Sequence, residues 1–260
     1  MQTLCELSHA CELAAYRAAT PQRNLRHFGA FVALLDPYDD LPWLNYAFPV
    51  APLGPSAAAD LQELAAYFVA HQRQLRFEFH AAPWPDLPPL LAAQGLHLAA
   101  RQPVLACTAA TLRPPPHTAF QTRMLSADAP LTELAAVVTI QQLGFGGSAG
   151  ELTELRLQMM RHALQAQIER YALAYYADAP VGAGSLLPAG AFAEIVGVAT
   201  HPSFRRRGVA ATLCAALAAA HFAAGGIHCW LSAGDAAAQR VYERIGFQVI
   251  DDRLNYELPG

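Results

Sequence analysis

The sequence predicts an α/β (α+β) protein built as two domains. Three observations carry this. Segments with strand-like apolar runs alternate with segments of helical period along the whole chain of 260 residues. Three consecutive prolines, Pro114, Pro115 and Pro116, interrupt it near the middle. With 54% hydrophobic and 15% charged residues, the composition suits packed cores rather than a disordered chain. The expected division is a smaller domain over 1–113, a proline-rich linker over 114–118 and a second domain over 119–260.

In the first half, Phe28 to Leu35 and Trp43 to Phe48 read as strands. Leu61, Leu64, Ala65 and Phe68 then fall on one face of a helix. A strand over Leu75 to Phe79, a short proline-started helix ending at Gly95 and a strand from Leu96 to Cys107 follow. The second half opens with a strand over Phe120 to Met124 and a helix from Leu131 that buries Leu134, Val137 and Val138. The glycine-broken loop Gly144-Phe145-Gly146-Gly147 leads to a helix over Leu152 to Leu164. Tyr171 to Tyr176, Val181 to Leu187 and Phe192 to Thr200 are successive strands. A long Ala/Leu helix from Gly208 to Ala224 stops at Gly225-Gly226. Strand Ile227 to Leu231, helix Asp235 to Ile245 and strand Phe247 to Ile250 close the unit. The order strand, helix, glycine, strand occurs at Leu75 to Cys107 and again at Ile227 to Leu258, which points to an internal duplication.

Composition also excludes functions. All 17 basic residues are arginine, so a lysine-dependent phosphate loop and Schiff-base chemistry are ruled out. A formal charge of −4 disfavours a nucleic-acid partner. No apolar run is long enough for a membrane span and no basic-then-apolar leader is present, so no membrane association and a cytoplasmic location are expected. Five scattered cysteines imply inert thiols. The histidines show no ligand spacing, and no metal is expected.

One turn carries the chemistry. The strand Phe192 to Thr200 passes through Pro202 into Arg205-Arg206-Arg207-Gly208-Val209-Ala210, which opens the Ala/Leu helix. A strand that feeds a helix N-terminus through a glycine turn offers backbone N–H groups and a positive dipole end to an anion. Ala210 keeps the approach open. By itself the pattern is equally that of a solvated arginine turn.

Together with a second element, Asp235-Ala236-Ala237-Ala238-Gln239-Arg240-Val241-Tyr242-Glu243-Arg244-Ile245-Gly246-Phe247, this turn resembles the GNAT superfamily of acyl-CoA N-acyltransferases. The resemblance covers about the last 140 residues. It implies a mixed, mostly antiparallel sheet flanked by helices, with the N-terminal part as a degenerate copy in a tandem arrangement. It also implies acetyl-CoA or another short acyl-CoA as co-substrate. Arg205, Gly208 and Ala210 fill the fixed positions of the family's pyrophosphate motif, with Arg206, Arg207 and Val209 between them. Val196 and Val198 would run along the pantetheine arm. Asp235 stands where the family usually has Asn, so it either caps its helix or contacts the cofactor beside Ala238. Tyr242 is either core or the acid that protonates the departing thiolate.

Glu194 interrupts an apolar strand. If Val196 and Val198 face the cofactor, a period of two puts Glu194 on the same side, partly desolvated and suited to act as a base. A Glu paired with Arg at the strand's edge is the alternative. The resulting expectation is direct acyl transfer to a primary amine of a small molecule or peptide. A non-catalytic acyl-CoA-binding sensor is the second reading. The loop from Leu143 to Leu152 would select the acceptor, and a homodimer is compatible with the resemblance.

Overall fold

A computed structural model describes residues 3–115, 119–146 and 152–259. Pro116 to Thr118 of the expected linker, and 147–151 of the expected acceptor loop, lie outside the described residues. The chain forms two compact units, residues 1–104 with 250–260, and residues 105–249. The contact boundary therefore falls ahead of the proline run, and the last strand is counted with the first unit.

The first unit opens with α1 (Leu4–Ala19), which the sequence reading left without an element. Its start was legible, because Thr3 and Glu6 form a reciprocal capping box. The expected strand from Phe28 to Leu35 is instead a hairpin of β1 (Asn24–Phe28) and β2 (Phe31–Leu35). Gly29, at φ +52°, makes the turn against the Asp60 carboxylate, where a Cβ would overlap. Strand β3 (Tyr46–Pro49) follows a short 3-10 turn over Pro42–Leu44. Helix α2 (Ala57–Ala70) buries Leu61, Leu64 and Phe68 as its periodicity predicts. Then come β4 (Arg76–His80), α3 (Leu87–Ala93) and β5 (His97–Cys107). The core joins Phe31, Leu64, Phe68, Phe77, Phe79, Trp84 and Leu91 with Leu254 and Tyr256. Those last two belong to β11 (Gln248–Glu257), which runs antiparallel to β4 from Arg253↔His80 to Glu257↔Arg76.

Beneath α1 lies a buried polar cluster. The Glu12 carboxylate accepts from the His80 backbone N–H and from Trp84 Nε1, each at 2.7 Å. Ser8 donates its one hydroxyl hydrogen to Asp251 at 2.6 Å. His80 Nδ1 lies 3.0 Å from Ser8 Oγ and 3.1 Å from the Ser8 carbonyl, both of which can then only accept, so Nδ1 carries the hydrogen. Burial, with a smaller contribution from Arg253, drops the His80 pKa to about 3. The unfolded chain protonates this histidine near 6.5 while the folded chain does not, so stability is full above that pH and falls as pH decreases. The slope approaches about 1.4 kcal/mol per pH unit, or about 2 kcal/mol lost by pH 5. In His80→Asn, whose amide can still donate to Ser8, urea titrations at pH 7.5 and 5.0 should show this acid loss reduced. Equal acid sensitivity in both proteins would assign it to other groups.

The second unit begins with β6 (Phe120–Met124), α4 (Leu131–Gly144) and α5 (Glu154–Gln165). Three antiparallel strands follow, β7 (Arg170–Tyr176), β8 (Ala179–Ala189) and β9 (Phe192–Thr200). Helix α6 (Val209–Ala223), strand β10 (His228–Ser232), which is parallel to β9, and helix α7 (Ala236–Arg244) complete it. Within the unit the strands run β10-β9-β8-β7-β6, mixed and mostly antiparallel. Leu134, Val137 and Ile140 of α4 pack on one face of this sheet with Leu173, Ala183 and Ala199. Leu213 and Leu217 of α6, with Tyr242 and Ile245 from the end of α7, pack on the other with Ala193, Ile195 and Leu231. Both faces are thus covered, as a buried mixed sheet requires.

Candidate active site

Strands β9 and β10 part company midway. Their parallel register runs from His228↔Phe192 to Trp230↔Glu194, yet β9 continues on its other edge against β8 to Gly182↔Thr200. Beyond Glu194 the β10 side of β9 therefore keeps backbone groups available to a ligand. An irregularity sits at the same place. Ser185 pairs with Val196 but Ala183 pairs with Ala199, so Gly197 and Val198 together face Gly184 as a β-bulge. Gly197 has φ +61°, and Gln141 of α4 donates to its carbonyl at 3.0 Å. A Cβ at Gly197 would overlap that side-chain amide.

The bulge corrects the sequence-based facing. One extra residue reverses the alternation. Ile195 packs in the α6-side core and Val198 lies against it, beside Leu213 and Leu217 of α6 near Gly184. Glu194 and Val196 are on the α4 side. Val198 therefore does not share a face with Glu194. Glu194 is only 6% exposed. Trp230 and Ser232 of β10 share its face, since Cys229 and Leu231 belong to the opposite core. The Ser232 hydroxyl is buried with no hydrogen-bond partner, one turn of alternation past the last paired position.

Tyr242 reaches the sheet from the other side. It is buried among the α6-side residues and its ring stands 6.4 Å from Phe247. Burial, then Cys214 and Asp235, push its pKa above the ordinary phenol value, so it remains a proton donor across the physiological range. Asp235 caps α7 by accepting from the Ala238 N–H at 2.7 Å. That bond satisfies the capping alternative. Neither Asp235 nor Ala238 lines the cavity described next.

A cavity of about 670 Å³ opens at the N-terminus of α6. Gly208, the N-cap, has φ +91° and no side chain to cap with. The first intrahelical bond comes from Thr212 N–H to the Gly208 carbonyl, which leaves the N–H groups of Val209, Ala210 and Ala211 without helical acceptors. Arg206, just before, also sits at positive φ, +61°, a conformation that costs a non-glycine residue about 1 kcal/mol. Two left-handed residues, Arg206 and Gly208, thus flank Arg207 in the turn that enters the helix.

The three arginines of the turn do different things. Arg206 lines the cavity. Arg205 also borders it, but its guanidinium donates to the Gly144 carbonyl at 2.7 Å, capping the C-terminal end of α4. Arg207 is turned away: its guanidinium lies 5.0 Å from the Phe204 ring, 5.1 Å from Tyr176 and 5.8 Å from Phe120. Only its backbone remains for an anion. The lining also includes Arg240, Val241 and Arg244 of α7 and the segment Arg113-Pro114-Pro115, none of which the sequence reading assigned. The i, i+4 spacing of Arg240 and Arg244 was the available signal. Among the described residues no group of three or more His, Cys, Asp or Glu is placed to hold a metal ion. All five cysteines are free thiols, and burial pushes Cys107 up to about 12. No described helix is long and apolar enough to cross a membrane.

The model of the acetyltransferase (GNAT) family matches residues 135–247. No curated protein matches the sequence. Among solved structures, a GCN5-related N-acetyltransferase from Kribbella flavida superposes with a TM-score of 0.81 at 22% identity, over 98% of this chain and 96% of its own. Another, from Sphaerobacter thermophilus, gives 0.68 at 15% identity, over 100% and 93%. A tandem GNAT protein from the clavulanic acid biosynthesis pathway gives 0.63 at 15% identity, over 98% and 94%. These likenesses extend the fold through the first unit as well as the second. Residues 135–247 thus match the model of the GNAT acetyltransferase family, and the chain shares the fold of the GCN5-related N-acetyltransferases.

Proposed function

We propose that the protein is an N-acyltransferase that moves an acetyl or short acyl group from acyl-CoA to a primary amine of a small molecule or peptide. The observation that carries this is the uncapped N-terminus of α6, with Gly208 at φ +91°, opening into a cavity bordered by arginines. The pyrophosphate accepts from the N–H groups of Val209, Ala210 and Ala211, with Arg206 beside them. The pantetheine arm lies along the unpaired edge of β9 beyond Glu194. Val196 and Val198 flank it from opposite faces, and Ser232 offers its unsatisfied hydroxyl.

The reaction is direct transfer. Glu194 removes a proton from the ammonium on the α4 side, and the free amine attacks the thioester carbonyl. A backbone N–H at the Gly197–Val198 bulge, held from behind by Gln141, stabilises the developing oxyanion. The nitrogen then releases its extra proton to solvent, collapse breaks the carbon–sulfur bond, and Tyr242 supplies a proton to the thiolate from the α6 side. Placement supplies much of the acceleration. No step calls on a metal. The second reading, a sensor that binds acyl-CoA without turnover, would keep the cavity and lose the transfer.

Acetyl-CoA is expected to raise the melting temperature of the protein. At a hundredfold excess over Kd the stabilisation is about 2.7 kcal/mol. Thiol release should then appear with at least one member of a panel of amino acids, polyamines and short peptides. Stabilisation without thiol release across the panel would favour the sensor. No stabilisation by any acyl-CoA would remove the reading altogether.

A further inference from the structure

We propose that Arg113, Arg240 and Arg244 form a second anion subsite that recognises the 3′-phosphate at the adenosine end of coenzyme A. The protein then discriminates 3′-phosphorylated acyl-CoA from its dephospho form. This rests on the acyl-CoA reading above and assigns residues that the pyrophosphate turn does not use.

The cavity has two positive poles. One is the α6 N-terminus with Arg206, sufficient for a pyrophosphate. The other is at α7, where Arg240 and Arg244 line the cavity together with Ala237 and Val241. At i, i+4 on a helix, two arginines are neighbours and repel by a few tenths of a kcal/mol. Arg244, in the last turn of α7, is compensated by the helix dipole. Arg240, in the middle of the helix, is not. Arg113 adds a third guanidinium from the proline segment. That segment is tied to the end of α7, since the Arg113 N–H donates to the Ile245 carbonyl at 2.9 Å. Gly246 approaches the Thr111 carbonyl so closely that a Cβ would overlap it.

Charge is what makes this wall unusual. Five arginines, 113, 205, 206, 240 and 244, border the cavity with no carboxylate paired to any of them among the described residues. No Asp or Glu is among the lining residues, although the whole chain carries a formal charge of −4. Positive charge concentrated in this way on an acidic protein favours a ligand with more than one anionic centre. A phosphate monoester carries close to two negative charges at neutral pH and presents oxygens that match arginine forks. Pro114, Pro115, Val241 and Ile245 place apolar surface beside these guanidiniums, as a nucleobase next to a phosphate would need.

The test compares acetyl-CoA with 3′-dephospho-acetyl-CoA by isothermal titration on the full chain. Wild type should bind acetyl-CoA at least about tenfold more tightly, the scale of one or two partly exposed charge-assisted hydrogen bonds. In the Arg240→Gln/Arg244→Gln double variant the preference should fall to about threefold or less, with dephospho-acetyl-CoA binding nearly unchanged. Arg240→Gln alone, with Arg113→Gln in parallel, should each lower the preference part way and serves if the double variant melts early. Equal wild-type affinities for the two ligands, or a preference that survives the double substitution, would overturn the subsite while leaving the acyl-CoA reading intact. If neither ligand binds, that reading fails as well.

Discussion

Glu194→Gln is expected to lower kcat by about a hundredfold, the middle of the range for removing a positioned general base. The substitution preserves the volume of a side chain that is 6% exposed on the α4 face of β9, so the fold should be kept. It removes the ability to accept a proton from the ammonium. KM for acetyl-CoA should change little, because the pyrophosphate turn lies at the far end of β9. The rate-against-pH profile gives the more specific reading. In the variant the rate should follow the free-amine fraction and so rise with pH up to the amine pKa, and amines of lower pKa, already neutral at the assay pH, should lose less rate than strongly basic ones. Wild-type turnover in the variant would take Glu194 out of the mechanism. Tyr242→Phe should cost at least tenfold in kcat.

The second large effect concerns stability. Gly246 ends α7 with φ +98°, and a Cβ there would overlap the Thr111 carbonyl oxygen. Gly246→Ala therefore combines an unfavourable backbone conformation with a collision against main chain, for which no side chain can move aside. We expect a loss of about 3 kcal/mol, which corresponds to a fall of roughly 10 °C in Tm for a unit of this size. Because Thr111 and Leu112, which meet Gly246, lead directly into Arg113, Pro114 and Pro115 of the cavity lining, KM for acetyl-CoA should rise as well. A melting temperature within about 2 °C of wild type would show that the 111–113 segment is free to shift.

In the proposed function, cofactor recognition and acid–base chemistry occupy different parts of one short stretch of chain. From Glu194 to Ala210, β9 supplies in order a buried carboxylate, a glycine bulge pinned by Gln141 and an exposed strand edge, and the turn that follows supplies an anion-binding helix start. Helix α7 faces this stretch with a buried phenol and two cavity-lining arginines.

Much of this was legible in the sequence. The Ala/Leu helix read from Gly208 to Ala224 with its Gly225-Gly226 stop spans Val209–Ala223, with Gly208 and Ala224 as its caps. The apolar face of α2 is Leu61, Leu64 and Phe68 as periodicity requires, since local spacing decides which side of a helix is buried. The glycine turn that opens α6 and the closing helix were visible because glycine, alanine and helix-capping positions have local physical reasons that survive without an alignment. Missing arginine assignments were of another kind. Arg113 lies far from Arg240 and Arg244 in sequence, and only the return of residues 111–115 onto the end of α7 brings them to one wall.

The sequence by itself determined most of the elements, the glycine turn that opens α6, and the absence of lysine from the chain. Tertiary structure alone decided which way the key side chains face. Period-two reasoning put Val198 with Glu194, and the bulge at Gly197 separated them, because one unpaired residue reverses every later side chain and leaves no mark in apolar spacing. It likewise separated three consecutive arginines into a cap for α4, a cavity-lining residue and a cation held by three rings. Adjacent identical residues carry no local signal to tell them apart. Their partners are contributed by distant strands and helices, and only packing brings those partners within reach.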